Sequence, residues 1–201
     1  MDSANNEDMS KSESYTFNFI SSMSLKCAID LGILYAFHHR SHPTTLPELA
    51  TALVVPASKA AFLGCLVAVL AHTGFLSCQK LASEENQISE DEAEELGLEY
   101  SLTPASFAIV KGQSLDLSPK VLLTLDPTFV ERFHCMSEWF KSNSENCWSS
   151  SRTPLHMKHG KSFWEIKIQD EKFSWRMNAA MASNGPGMAR LMMWTSVGAA
   201  V

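Results

Sequence analysis

Three histidines, His38, His39 and His42, fall within five residues beside Arg40. A metal site needs ligands at regular spacing, usually with a carboxylate, and neither accompanies them. They are expected to be solvent-exposed side chains of a loop ending at Pro43. His134, His156 and His159 are each candidate proton acceptors, but no carboxylate is spaced to orient any of them. Gly185-x-Gly187 lacks the third glycine of a dinucleotide fingerprint and follows no strand, so it is a poor cradle for phosphate or adenosine. There is no GxSxG, no HExxH, no P-loop and no pair of carboxylates on one helix face. No catalytic, metal-binding or cofactor-binding residue is therefore assigned.

The elements that would position any site read as mainly helical. Residues 1–11 are polar and read as a disordered leader, with neither the apolar run of a secretory signal nor the acid-poor composition of a transit peptide. A helix is expected over 12–31, ended by Gly32. One face carries Phe17, Ile20 and Leu31, and a second strip carries Phe19 and Met23. A helix apolar on two sides needs two surfaces to bury against, and a partner chain is one natural supplier. Thr45 and Glu48 have capping-box spacing, with Pro47 in the first turn. A longer helix is expected over 58–72, capped by Gly74, then strands over 75–78 and 100–103. Between them, Glu84 to Glu99 holds eight acidic residues and no basic one, a solvated wing. Further helices are expected over 105–110, 117–124, 127–142 and, as one or two pieces, 162–183, with a loop over 141–152.

The order helix, helix, strand, acidic loop, strand is that of a winged helix. Such folds commonly read DNA, but the candidate recognition helix from Ser58 to Leu70 has one lysine and is apolar nearly all round, so it is expected to be buried. The acidic wing would repel phosphates, and the net charge is -6. No nucleic-acid partner is expected. No run of eighteen apolar residues suggests a membrane span. The five cysteines are scattered without a CxxC pair, which points to reduced, mostly buried thiols in a cytoplasmic protein.

Several segments carry a resemblance. Phe17–Ile33, Thr45–Leu49, Leu70–Leu76, Tyr100–Ser106, Leu125–Pro127, Ser137–Phe140, Thr153–Pro154, His159–Glu165 and Asn178–Ser183 stand in the order found in plant class II O-methyltransferases. This group includes the resveratrol, isoflavone and caffeic acid enzymes of phenylpropanoid and other secondary metabolism. The resemblance implies S-adenosylmethionine as methyl donor, a phenolic acceptor and a homodimer interlocked through a winged-helix-like domain at 12–110. Linking and substrate-pocket helices would occupy 111–184 and lead into a Rossmann-like methyltransferase domain that is absent. It implies that Phe19 and Met23 line the partner's substrate pocket. It places Thr124, Leu125, Phe163, Phe173, Met177 and Met181 at further pocket positions, where aromatic and methionine surfaces suit a flat phenol.

The resemblance has gaps. Met177, Ala179 and Asn184 replace a phenylalanine, an acid and an aspartate of the family, and the match ends beyond Asn184, leaving 185–201 as a divergent tail. The family's histidine base and glycine-rich cofactor loop have no counterpart in the sequence. Three readings stay open: a truncated or frame-shifted product, a non-catalytic dimerisation module that pairs with itself or an intact relative, and part of a longer enzyme. The chain alone is expected to transfer no methyl group and to hold no cofactor.

Overall fold

The computed structural model describes residues 2–40, 42–80, 97–110, 116–142 and 153–183. Two compact units divide at Ser114 and Leu115.

In the first unit, α1 runs Asp2–Leu31, well ahead of the start expected at residue 12. No glycine or proline interrupts the chain before Gly32, so nothing breaks the helix. Gly32 adopts φ +76° and turns the chain directly into α2 (Ile33–His38). α3 (Leu46–Ala52) begins at the Thr45 cap, where the Glu48 carboxylate accepts from the Thr45 N–H at 2.9 Å and the Thr45 hydroxyl at 3.0 Å. A 3-10 turn at Ala57–Lys59 leads into α4 (Ala60–His72), and Gly74, at φ +80°, turns the chain into the sheet.

The sheet contains a strand the sequence pattern does not reveal. β1 (Thr44–Thr45) pairs with β3 (Leu98–Leu102), which pairs in turn with β2 (Leu76–Lys80), all antiparallel in the order β1-β3-β2. Two residues are too few for any alternation to register. Ser77 and Ser101 face each other across β2 and β3 with their hydroxyls 2.6 Å apart. α5 (Pro104–Phe107) follows. Most of the acidic wing, residues 84–96, lies outside the described residues, and its last acid, Glu99, stands in β3 opposite Gln79 and Thr45.

α4 corrects an expectation. Leu63, Val67 and Leu70 are buried, but Ala61, Phe62, Cys65 and Ala68 are exposed. α1, α3 and β2 cover one side of this helix and leave the other apolar side bare. The cysteines change with it. Cys27, Cys65 and Cys78 are exposed and Cys135 is half-buried, all four as free thiols, while Cys147 lies outside the described residues.

In the second unit, α6 spans Ser118–Thr124. The helix expected over 127–142 is three pieces: α7 (Pro127–Val130), a 3-10 stretch (Glu131–Cys135) and α8 (Met136–Lys141). α9 (Pro154–His159) starts where the Thr153 hydroxyl accepts from the His156 N–H and ends at left-handed Gly160. The segment from 162 to 183 divides into α10 (Phe163–Gln169) and α11 (Glu171–Ser183). Ser162 and Glu165 close a second capping box, with the Ser162 N–H donating to the Glu165 carboxylate at 2.7 Å. Gly185-x-Gly187 lies outside the described residues. No described helix is long and apolar enough to cross a membrane.

Candidate functional site

α11 packs along α6 and presents Phe173, Met177 and Ala180, at helical spacing, to one core. Phe163 and Ile166 from α10, Leu155 from α9, Phe129 from α7 and Leu123 from α6 complete it. Three rings form its centre: Phe129 lies 5.4 Å from Phe173 and 6.2 Å from Phe163, and Phe163 lies 6.0 Å from Phe173. These separations suit attractive tilted ring pairs.

Three of the expected pocket residues, Phe163, Phe173 and Met177, thus sit together in this core. Thr124 and Leu125 are half-buried at the end of α6, and the Thr124 hydroxyl donates to the Lys120 carbonyl at 2.8 Å. Met181, one turn beyond Met177, is 40% exposed. In the first unit, Phe19 is 56% exposed and Met23, one turn further along α1, is half-buried. Around them Tyr15, Phe17 and Ile20 are also exposed, and on the packed neighbour α4 so is Phe62.

Arg132 is a residue the sequence reading passed over. It is buried, its guanidinium lies 4.9 Å from both the Phe129 and Phe133 rings, and its Nη1 has no hydrogen-bond acceptor. Burial pulls its pKa down to about 10. The only signal in the sequence is an arginine between two phenylalanines on a short helical stretch. Asp126, six residues earlier in the chain, is paired with Arg176 instead.

Among the candidate bases, His159 has Nε2 3.2 Å from the Thr128 carbonyl. A carbonyl only accepts, so that nitrogen carries the proton and is not a free base. No cluster of three or more His, Cys, Asp or Glu among the described residues could hold a metal ion. Among the described residues the left-handed glycines Gly32, Gly74 and Gly160 each follow a helix, whereas the glycine turn of a dinucleotide-binding fold follows a strand.

The fold is shared with part of solved methyltransferase structures. Mitomycin 7-O-methyltransferase MmcR superposes with a TM-score of 0.65 over 91% of this chain and 46% of that chain, at 15% identity. A family model described as the O-methyltransferase dimerisation domain matches residues 13–112. The chain belongs to the O-methyltransferase family. It is 36% identical to trans-resveratrol di-O-methyltransferase of Vitis vinifera over 85% of this chain and 43% of that protein. It is 35% identical to tabersonine 16-O-methyltransferase of Catharanthus roseus over 90% of this chain and 47% of that protein. The chain spans less than half the length of these relatives.

Proposed function

We propose that this chain supplies the dimerisation unit and part of the substrate wall of a plant O-methyltransferase that methylates an aromatic hydroxyl from S-adenosylmethionine. The apolar side chains left bare on two faces of α1 and on α4 carry this reading. Tyr15, Phe17, Phe19, Ile20 and Phe62 are exposed on a domain whose family is defined by dimerisation. Water is a poor neighbour for that much aromatic surface, and a second copy would cover it. The winged-helix-like layout at 12–110 then serves chain-to-chain packing. α4 offers no Arg, Lys, Asn or Gln to read bases.

Phe19 and Met23 are proposed to reach the partner's substrate pocket. Thr124, Leu125, Phe163, Phe173, Met177 and Met181 are proposed to form the wall on the chain's own side, with the partly open Thr124, Leu125 and Met181 nearest a ligand. A phenolic acceptor is supported by the relatives, whose names specify O-methylation of resveratrol and tabersonine. The same bare face also favours a second reading, in which the chain pairs with an intact relative and alters its activity.

Light scattering at several concentrations tests the reading. A dimer at all concentrations, converted to monomer by Phe17→Glu with Ile20→Glu, is the expected result. A folded monomer at every concentration refutes it. Co-purification with a tagged full-length relative, and the methylation rate of the mixture, separate self-pairing from pairing with a relative.

A further inference from the structure

A cleft of about 330 Å³ opens on the first unit where the end of α2, the turn into β1, strand β3 and α5 meet. Phe37, Pro43, Leu102 and Phe107 supply its apolar sides. Its polar lining is His38, Arg40, His42 and Ser101, with no carboxylate among them. The volume lies at the lower end of small-molecule cavities and suits one or two fused rings with a short polar arm. The walls favour an aromatic body: the His38 ring meets Phe107 edge-on at 5.9 Å, and the cluster continues through His39 to Tyr35.

Arg40 and His42 are held by contacts that leave guanidinium donors to spare. Arg40 Nη2 donates to the Glu48 main-chain carbonyl at 3.3 Å, and Nη1 stands 3.7 Å from the Glu48 carboxylate. That carboxylate already accepts twice from Thr45, and a guanidinium has five N–H donors. His42 Nδ1 lies 2.7 Å from the Pro43 carbonyl. The carbonyl can only accept, so Nδ1 donates and Nε2 becomes a second donor when the ring is protonated.

We infer that this cleft binds a planar aromatic carboxylate. The ring lies against Phe37, Leu102 and Phe107, and the carboxylate accepts from Arg40 and, when its ring is protonated, from His42 Nε2. His39 and His42 are exposed, as the sequence reads, and His38 is half-buried; folding brings β3 and α5 beside His38 and His42 and makes them one side of the cleft. The inference does not rest on methyl transfer, and the site lies wholly within the first unit.

The test uses 2-naphthoate, which has no hydroxyl to be methylated, and its neutral amide, titrated into the full chain by calorimetry and by NMR of the histidine rings. The acid is expected to bind with a Kd of about 1 mM or tighter, shifting His38 and His42 resonances. Loss of the carboxylate or of one charged donor should weaken binding by about tenfold or more. Arg40→Gln and His42→Asn therefore weaken it, and so does Phe107→Ala through loss of ring contact. Phe107 and His42 are surface side chains, so their variants keep the test valid if Arg40→Gln disturbs α3. Equal affinity for acid and amide, no binding by either, or undiminished binding in His42→Asn and Phe107→Ala would each overturn the assignment.

Discussion

Asp126 Oδ2 lies 2.6 Å from Arg176 Nη1 and ties the start of α7 to α11 within the second unit. The other Asp126 oxygen accepts the Thr128 N–H at 3.1 Å, so one buried carboxylate both caps a helical turn and neutralises a cation. Short, charge-assisted bonds of this kind hold only while both partners remain, since either ion left alone is desolvated without compensation.

Asp126→Asn keeps an acceptor for the cap but leaves Arg176 unpaired. It is expected to destabilise the second unit by about 3 kcal/mol. Adding Arg176→Met should recover part of that loss, because the stranded charge is removed. Urea denaturation of the four proteins in the cycle checks this, and strictly additive losses would contradict it.

Arg132 presents the opposite situation, a buried cation with no acceptor on Nη1. Burial favours its neutral form, so the folded state is held back wherever the guanidinium is charged. Arg132→Met keeps contact with Phe129 and Phe133 and removes the charge. It is expected to raise stability by about 1–3 kcal/mol. A lower denaturation midpoint would mean that the attraction of the two rings outweighs desolvation.

Val54 closes α3 in the left-handed region at φ +55°, with its N–H donating to Thr51 and that of Val55 donating to Ala50. This is the helix-ending turn that glycine serves best, yet a β-branched residue occupies it. Its side chain is 86% exposed, so little packing is lost on removal. Val54→Gly is expected to stabilise the first unit by about 1 kcal/mol, read as a rise in melting temperature.

Glu48 and Glu165 are held below the usual glutamate range, first by the N–H bonds from Thr45 and Ser162 and then by the hydroxyls of those residues. A carboxyl with a depressed folded pKa adds stability above its unfolded value, and that stability is lost as pH falls through the folded one. Both caps should therefore weaken from about pH 4.3 downward. A Glu48→Gln, Glu165→Gln double variant should show a flatter stability profile between about pH 5 and 3, and an unchanged slope would exclude the caps as the source.

Much of the local structure follows from the sequence alone. Thr45 and Glu48 close their capping box, and Gly32 and Gly74 turn the chain where their spacing places them, because these are contacts between near neighbours. Ser162 and Glu165 carry the same pattern and are equally legible. The apolar strips of α1 are likewise written in the residue order. Residue order alone could not show which apolar residues meet. Phe163, Phe173 and Met177 close on Phe129 and Leu155, positions well apart in the chain. Nor does periodicity reveal a two-residue strand, or that α4, apolar nearly all round, is covered on one side only. Those outcomes, the burial of Arg132 with Nη1 left without an acceptor and the cleft between His42 and Phe107 depend on which distant surfaces fold onto each helix. Only the tertiary structure decided them, since burial belongs to neighbours in space.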